Sequence, residues 1–403
     1  MKGELLVIGG GPVGLLGANL AAQGGFRVTV LEAREGPRLT PRALGVTPPS
    51  LAILRTLGIA DTLIAQGVPI RRARVWGDGK PLGSLDLRGL PEPFPFILSV
   101  SQVATEAVLR EKLESFGERA SLRFASRVTD LDDDVEAVSA TLEDGSGFTG
   151  RFALGCDGPG GITRRLAAVP PPRHLGKRFA MLDLPETTDF GSEAHLFFSR
   201  QGSLESFPFG SEEPPRRRRR WIAEITEPLW NREDDDWIPD AVARAVRDRA
   251  CLSVSPEEAL WASRFEPRQT ISRRYSLGRL FLCGDAAHEF SPIGGQGMNT
   301  GFGDAAAAVD LLARSGDARG SLPTARRLYH FGRRPAAKVA ARRARTSMWI
   351  GTRAGPISAP LRDAFVRWLL EGPLRSYLPR HFAMLTLPGS RRLAREPSPR
   401  KAP

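Results

Sequence analysis

The chain has 403 residues, 41% of them hydrophobic, and 57 lysine and arginine residues against 45 acidic ones give it a formal net charge of +12. This length and apolar content predict a large buried core and more than one domain. The three cysteines, Cys156, Cys251 and Cys283, form no C-x-x-C pair, which argues against a disulfide-stapled secreted protein, and the five histidines fall at no metal-ligand spacing.

The first predicted unit is a strand, a tight turn and a helix. An apolar run at residues 4–8 is followed at once by Gly9, Gly11 and Gly14 in a G-x-G-x-x-G pattern. Gly9 permits the turn, Gly11 lets the backbone approach a pyrophosphate, and Gly14 lets the helix lie close to the strand. A second apolar strand at residues 27–31 leads into Glu32, where a carboxylate is expected to accept hydrogen bonds from ribose hydroxyls. This unit predicts a dinucleotide site that favours an unphosphorylated ribose, as in FAD or NAD.

Two further motifs lie far along the chain. Asp157 and Gly158 follow Cys156, and Gly284 and Asp285 precede a glycine-rich run that leads into an Ala-rich helix predicted at about residues 303–313. Asp285 is expected to accept hydrogen bonds from the hydroxyls of a sugar-like chain, and the glycines to expose backbone N–H groups to a flat ring. The positive end of the helix would stabilise the negative charge that a flavin gains on reduction. Together the motifs predict a flavin site.

In their order, spacing and residues, the three motifs resemble those of the single-component FAD-dependent aromatic hydroxylases, the para-hydroxybenzoate hydroxylase-like monooxygenases. The resemblance extends over about residues 1–335. It implies an α/β fold with a Rossmann-like FAD-binding domain of the glutathione reductase type and an inserted, mainly β-sheet substrate domain. The implied boundaries are 1–72, 98–168 and 270–335 for the discontinuous FAD-binding domain and 73–97 and 169–269 for the substrate domain. Beyond the resemblance, the sequence pattern predicts a C-terminal helical region at 336–388 and a disordered basic tail at 389–403.

The resemblance also implies roles for individual residues. Arg42 is similar to the family's arginine near the flavin and pyrophosphate, and Gln102 to a flavin-contacting residue at a helix start. The alternatives are an ordinary loop cation at Arg42 and a helix-start residue paired with the backbone at Gln102. Pro292 matches the proline beside the flavin edge where oxygen reacts, so it is a predicted catalytic position, whereas His288 is expected to be structural.

The second motif is similar to one that the family uses for two cofactors. Asp157 matches an aspartate shared by FAD and nicotinamide-cofactor binding, and Arg164 matches the arginine that ends the motif. Gly161 stands where the family usually has a serine, which puts the local helix cap in doubt. The predicted cofactor-binding residues are Gly9, Gly11, Pro12, Val13, Gly14, Glu32, Ala33, Arg34, Arg42, Gln102, Asp157, Gly158, Arg164, Gly284, Asp285, Pro292, Gly295, Gly297, Met298 and Asn299.

The implied reaction has two halves. NADH or NADPH reduces FAD, and O2 then adds to the reduced flavin at C4a to give a hydroperoxide that hydroxylates an aromatic or polycyclic small molecule. A base that removes a phenolic proton would raise the electron density of the ring. His195, on one of the predicted substrate-domain strands, is the candidate base, and a packed histidine is the alternative. These strands are predicted at residues 194–198, 206–209 and 221–226.

Other functions fit the same motifs. A flavin-dependent reductase of an isoprenoid or other double bond would keep all three and differ in transferring no oxygen. A lipid-carrying binding protein on this fold would lack flavin, and the intact Asp285 and glycine loop speak against it. A flavin-dependent halogenase requires a Trp-x-Trp-x-Ile-Pro signature, which residues 221–223 do not supply.

The remaining segments bear on partners and location. The arginine run at residues 216–220 lies between predicted strands and lacks interleaved aromatic residues, which indicates a solvated hairpin loop and no nucleic-acid binding. Residues 345–387 alternate apolar clusters with arginines, as helices packed on the body would, with interfacial membrane contact as the alternative. No stretch is long and apolar enough to span a bilayer, and Glu4 interrupts any signal peptide. We expect a cytoplasmic monomer or homodimer whose partners are a small aromatic substrate and O2.

Overall fold

The computed structural model describes residues 2–40, 43–210, 217–226, 228–315 and 321–389. The strands are β1 (Glu4–Ile8), β2 (Arg27–Leu31), β3 (Gly45–Val46), β4 (Val68–Ile70), β5 (Arg72–Gly77), β6 (Lys80–Asp86), β7 (Ile97–Ser99), β8 (Ala120–Arg123), β9 (Val128–Asp133), β10 (Val138–Leu142), β11 (Gly147–Gly150), β12 (Phe152–Gly155), β13 (Arg173–His174), β14 (Phe179–Pro185), β15 (Ala194–Ser199), β16 (Gly202–Gly210), β17 (Arg217–Glu224), β18 (Trp261–Phe265), β19 (Arg268–Ile271), β20 (Ser276–Leu277), β21 (Leu280–Leu282) and β22 (His288–Glu289). The helices are α1 (Pro12–Gln23), α2 (Pro48–Thr56), α3 (Ala60–Ile64), α4 (Gln102–Glu114), α5 (Ile162–Leu166), α6 (Ile238–Ala250), α7 (Gln296–Arg314), α8 (Ser321–Gly351), α9 (Ser358–Glu371) and α10 (Leu378–Phe382).

One sheet has six strands in the order β20, β21, β12, β1, β2, β8. All neighbours in it are parallel except β20 and β21. Leu5, Leu6 and Val7 of β1 are completely buried, as the uninterrupted apolar run predicts for a strand covered on both faces. The strands β1, β12 and β21 lead directly into the three motifs, so their parallel alignment brings the motifs to one edge of the sheet.

A second sheet has seven strands in the order β18, β14, β17, β16, β15, β5, β6, and only β15 and β5 pair in parallel. One face packs against α6 through Leu204 and Trp221. Successive side chains of a strand point to opposite faces, so Ile222 lies on the other face. There it packs with Phe179 and with Ile293 of the glycine-rich segment. This second face therefore turns toward the flavin motifs.

Several boundaries differ from those that the sequence predicts; the strand expected at residues 206–209, for example, is β16, which extends from Gly202 to Gly210. The strand expected at residues 221–226 is β17, which begins at Arg217 and ends at Glu224, and the helix expected at residues 303–313 begins at Gln296. Glycines usually weaken helices, but here they permit close packing. A side chain on Gly301 would place its Cβ atom 2.9 Å from the Cα atom of Gly284. The glycine run is therefore helical where α7 contacts the third motif.

The prediction of a solvated arginine loop is wrong for the described part of the run. Arg219 and Arg220 lie within β17 and are each only 1% exposed. Two hydrogen bonds of 2.6 and 2.7 Å join the Arg220 guanidinium to the Asp183 carboxylate, and Arg219 Nε donates to Glu186 Oε2 at 2.6 Å. These carboxylates lie more than 30 positions away in the sequence, and they make burial of the arginines possible. Residue 216 lies outside the described residues.

The C-terminal helices pack on the body, as expected. Three alanines of α8 pack against Phe290 and Met384, and Val366 of α9 packs against β5 and β6. Helix α8 continues through the predicted boundary at residue 335. In the described ranges, no helix is long and apolar enough to cross a membrane. The predicted tail, apart from Gly389, lies outside the described residues.

Candidate functional site

The three motifs contact one another at the end of the six-stranded sheet. Gly9 has a φ of +104°, and a Cβ atom there would lie 2.5 Å from the carbonyl oxygen of Cys156. Val13 of the first motif packs against the segment that follows the third motif. A Cβ atom added to Gly301 would lie 2.6 Å from Val13 Cγ2. Gly284, with a φ of +61°, lies against the same valine. Segments from the beginning, middle and end of the sequence thus form one surface.

The first turn of α1 has the form of a pyrophosphate cradle. A Cβ atom on Gly14 would lie 1.9 Å from the carbonyl oxygen of Gly9, so this position requires glycine. Gly11 caps the helix, and among the described residues no atom beyond its chain neighbours lies within 4 Å of the place where its Cβ would be. Pro12 occupies the first helical position, where its missing N–H costs no hydrogen bond. The N–H groups of this turn and the helix dipole suit a negatively charged phosphate.

Glu32 is held as a carboxylate at the end of β2. Its Oε2 atom accepts from the backbone N–H of Gly10 at 2.6 Å, and its Oε1 atom accepts from the backbone N–H of Arg34 at 2.9 Å and from Arg34 Nε at 3.0 Å. Burial acts to raise the pKa of Glu32, but the hydrogen bonds and charge of Arg34 outweigh it, and the pKa is lowered. Ala33 is exposed beside this group. An ionised carboxylate here can accept from ribose hydroxyls.

The Asp157 side chain caps helix α5, although Gly161 stands where the family usually has a capping serine. Its carboxylate accepts hydrogen bonds from both the backbone N–H and the hydroxyl of Thr163, in the first turn of α5. A Cβ atom on Gly161 would lie only 1.9 Å from Asp157 Cγ. The carboxylate therefore occupies the space that a serine would need. Gly158 has a φ of +79° and turns the chain between Asp157 and the helix.

Arg164 joins the second motif to the third. Its side chain is buried, its Nη1 atom donates to the carbonyl oxygen of Asp285 at 3.0 Å, and the same atom lies 3.3 Å from Glu289 Oε2. The Asp285 side chain is exposed at this edge. Arg164 thus contacts Asp285 directly, and Asp157 binds Thr163, the residue before Arg164.

The glycine-rich loop leaves open space at its backbone. Gly295, with a φ of +63°, caps α7, and in the described part of the chain no atom beyond the adjacent residues and the α7 backbone lies within 4 Å of the Cβ positions of Gly295 or Gly297. Pro292 is exposed, and its carbonyl oxygen accepts from Gly295 N at 2.9 Å. Met298 is half-buried behind the loop. The backbone is therefore accessible to a flat ring, and the N-terminus of α7 points at the same space.

Asn299 ties this loop to the β3 segment. Its Nδ2 atom donates to the carbonyl oxygens of Gly45 at 2.9 Å and Gly295 at 2.7 Å, and its Oδ1 atom accepts from the backbone N–H of Thr47 at 2.9 Å. Gln102, at the start of α4, donates to Glu106 Oε1 at 2.7 Å and accepts from a backbone N–H at 3.3 Å. Both side chains thus position backbone around the loop. Arg42 lies outside the described residues.

A buried ionic network supports the third motif, and two of its members were not singled out in the sequence. Asp304 accepts from His288 Nε2 at 2.7 Å, from Arg333 Nε at 2.7 Å and from the backbone N–H of Gly284 at 3.1 Å. Burial acts to raise the pKa of Asp304, but the charges of Arg333 and His288 lower it overall. His288 is structural, as expected. The acidic residue at the start of the predicted Ala-rich helix, Asp304, was the signal that could have identified this network.

The structure places His195 on the α6 side of the seven-stranded sheet. Its ring stacks on Phe190 at 3.6 Å between centroids, and Trp76 Nε1 lies 3.2 Å from its Nδ1 atom. Burial, with the charge of Arg219, lowers the pKa of His195 to about 4. Ile293 of the loop packs against the opposite face of this sheet, so the fold does not bring His195 toward Pro292.

Glu205 lies on the face that His195 does not reach. It is 7% exposed in the middle of β16, and no hydrogen-bond or ion-pair partner for its carboxyl group is found in the described parts of the chain. Burial alone raises the pKa of Glu205 to about 7. A lone acid in a strand of apolar and small residues was the signal that could have identified it.

The fold and the joined motifs define a flavin-nucleotide-binding α/β protein, and the open cradle and glycine loop fit FAD. Residues 2–344 match the family described as FAD binding domain, so the chain belongs to this family. It is 30% identical over 308 residues to 6-methylpretetramide 4-monooxygenase of Streptomyces rimosus, a match that covers 75% of this chain and 54% of that protein. The chain covers only 54% to 66% of the length of that protein and of three further related monooxygenases.

Solved structures share the fold. The p-nitrophenol 4-monooxygenase of Pseudomonas putida superposes with a TM-score of 0.80 at 19% identity and 99% coverage of both chains. A Diels–Alderase of pyrroindomycin biosynthesis superposes with a TM-score of 0.74 at 24% identity, covering 94% of this chain and 80% of its own. Because two proteins named for different reactions share this fold, the fold alone does not determine the reaction.

Proposed function

We propose that the protein is an FAD-dependent monooxygenase that uses NAD(P)H and O2 to hydroxylate an aromatic or polycyclic small molecule. One observation carries this proposal: the glycine-rich loop at the flavin motifs packs directly against the second sheet. Ile293, next to Pro292, is buried against Phe179 and Ile222 of that sheet. An apolar layer over a flavin is where a flat substrate can be held and water excluded.

The same contacts support a division into two domains. The discontinuous segments 1–72, 98–168 and 270–335 would form a Rossmann-like FAD-binding domain, and segments 73–97 and 169–269 an inserted substrate domain. The seven-stranded sheet takes its strands from residues 72–86 and 179–265, which supports the second assignment. The substrate would then bind between the sheet and the Pro292 loop.

Different residues of the site would hold different parts of the cofactor. The α1 N-terminus with Gly11 binds the pyrophosphate, Glu32 accepts from the ribose, and Asp285 accepts from the ribityl chain. The α7 N-terminus and the backbone of residues 294–297 face the ring and favour negative charge there. Bound FAD supplies electron transfer from NAD(P)H and the activation of oxygen. The nicotinamide cofactor would bind transiently across the Asp157 region.

Isotope labelling tests this function. Purified protein with FAD is supplied with NADPH or NADH, phenols and polycyclic phenols under 18O2, and the products are analysed by mass spectrometry. A monooxygenase incorporates one 18O atom for each hydroxylation, whereas the same reaction in H218O with ordinary O2 gives no labelled hydroxyl group. Product without oxygen label would indicate a double-bond reductase or a cyclisation, and protein that binds no flavin would exclude the proposal.

A further inference from the structure

Glu205 occupies the centre of the sheet face that turns toward the flavin loop. In the β-sheet register it lies directly beside Leu196 of β15 and Ile222 of β17. Directly opposed residues share a face, so Glu205 projects on the same side as Ile222, which packs with Ile293. Strand β16 also packs against β4 and β7, which lie in the body of the protein. Glu205 thus points into the layer between the sheet and that body.

The charged groups around Glu205 on this face are already paired. Glu224 accepts from Lys177 Nζ at 2.7 Å and from the backbone N–H of Ser203 at 3.2 Å. Arg220 is bound to Asp183. The strands β4, β7 and β15 present no acidic or basic side chain on the Glu205 side. Helices α8 and α9 also pack on this face through Met348 and Val366, and Arg362 of α9 is bound to Asp363. Burial alone shifts the pKa of Glu205, so no described charged group lies close enough to neutralise it.

A largely buried carboxyl group without a protein partner is costly, because it has lost most of its water and gained no hydrogen bond. Arg219, Arg220 and Glu224 show that this sheet supplies partners to its other buried charges. Glu205 differs from them in having no such partner among the described residues, and its direct neighbour Ile222 packs against the flavin loop. The missing partner is therefore expected to come from the ligand.

We propose that Glu205 recognises the substrate, accepting a hydrogen bond from a hydroxyl group of an uncharged hydroxyaromatic ring and removing its proton during oxidation. In that step the substrate O–H bond breaks, the proton joins a Glu205 oxygen, and the electron pair remains on the substrate oxygen. The inference rests on the proposed monooxygenase function and specifies its substrate class. Aryl carboxylates are disfavoured, because two negative charges in this layer would repel.

A pair of ligands with the same ring tests the assignment. Binding of 2-naphthol and 2-naphthoate to the FAD-loaded protein is followed by the change in flavin absorbance from pH 6 to pH 8.5. In the wild type we expect naphthoate affinity to fall by about tenfold or more over this range, since burial raises the pKa of Glu205 to about 7. Naphthol affinity is expected to hold or increase, because the ionised carboxylate is the better acceptor.

Two variants of Glu205 and one matched control complete the experiment. Glu205→Gln should remove the pH dependence and bind naphthoate at least about tenfold more tightly than the wild type at pH 8.5. Glu205→Leu should weaken naphthol binding. Glu224→Gln changes another buried carboxylate of the same face, one that has protein partners, and should keep the wild-type pH profile.

The outcomes separate this inference from the proposed function. Unchanged pH profiles in Glu205→Gln, or no binding of either ring by the wild type, would overturn the role of Glu205. Absence of labelled product from 18O2, with the pH-dependent binding intact, would refute the hydroxylase function and leave the recognition role supported.

Discussion

Gly161 shows how the absence of one side chain positions a functional carboxylate. The space beside it is filled by the Asp157 side chain, which caps α5 through Thr163. The sequence departs here from the serine usual in the resembling family, and the contacts supply the reason. A larger residue would compete with Asp157 for one position.

Replacing Gly161 is therefore expected to disturb the site. Gly161→Ser should displace the Asp157 carboxylate, lose the α5 cap at a cost of about 1 kcal/mol, and weaken FAD binding. Flavin retention and the midpoint of urea unfolding measure both effects. Gly160→Ser is the matched control, because no atom lies within 4 Å of its Cβ position. Equal behaviour of the two variants would contradict the role of Asp157 as the cap.

Glu205 is expected to make stability depend on pH. Burial raises its pKa from the ordinary value of 4.5 to about 7, so the folded protein holds this proton more tightly than the unfolded chain. The free energy of unfolding should then fall as pH rises from 4.5 through 7, by up to about 3 kcal/mol. Glu205→Gln removes this penalty.

Urea unfolding of the wild type and Glu205→Gln at pH 5 and pH 8.5 tests that expectation. The variant should be more stable than the wild type at the higher pH and close to it at the lower one. The same difference between the two proteins at both pH values would contradict a raised pKa of Glu205 in the folded protein.

Strand β17 shows what neighbouring strands do to a charged sequence. Two of its arginines, Arg219 and Arg220, are buried because β14 and the residues after it supply Asp183 and Glu186. Arg220 also lies 4.7 Å from the ring centroid of Trp261. A strand with consecutive arginines can be central when each has a carboxylate and an aromatic surface beside it.

Removing one partner of the Arg220–Asp183 pair is expected to be far more damaging than replacing both partners with apolar residues. Asp183→Ala leaves a buried guanidinium uncompensated and should cost about 3–5 kcal/mol, while the double change Asp183→Leu with Arg220→Met should recover most of that loss. Asp234→Ala removes an exposed pair with Arg232 and should cost less than about 1 kcal/mol. Denaturant unfolding compares the three variants, and similar losses in all of them would contradict the burial of β17.

The proposed cofactor site draws on segments from nearly the whole length of the chain. Gly11, Glu32, Asp157, Asp285 and Asn299 reach one edge because parallel strands deliver their motifs there. A ligand that touches all of these segments stabilises the folded protein as a unit, since the unfolded chain has no such site.

Removal of FAD is accordingly expected to lower thermal stability. FAD at 100 times its dissociation constant should add about 2.7 kcal/mol to the free energy of unfolding and raise Tm by a few degrees. FMN is the matched control, because it lacks the adenosine part that Glu32 would bind. Calorimetry on apoprotein titrated with each compound provides the measurement. Equal shifts for the two flavins would contradict the assignment of Glu32.

Local patterns were sufficient for the motif strands. The expected bounds of β1 and β2 are those of the structure, because continuous apolar runs and the glycines that end them act over a few residues. The same holds for the cap at Gly11 and for the positive φ of Gly9. The family, whose match over residues 2–344 confirms the resemblance, follows from these short motifs and their order.

Pairing across the chain was decided only by the tertiary structure. A strand pattern with period two does not say which face meets the cofactor, so it singled out His195 and passed over Glu205. The burial of Arg219 and Arg220 depends on carboxylates dozens of residues away, and the network at Asp304 on an arginine from another helix. Turn and strand preferences are local properties of the chain, whereas burial and charge pairing exist only after distant segments have packed together.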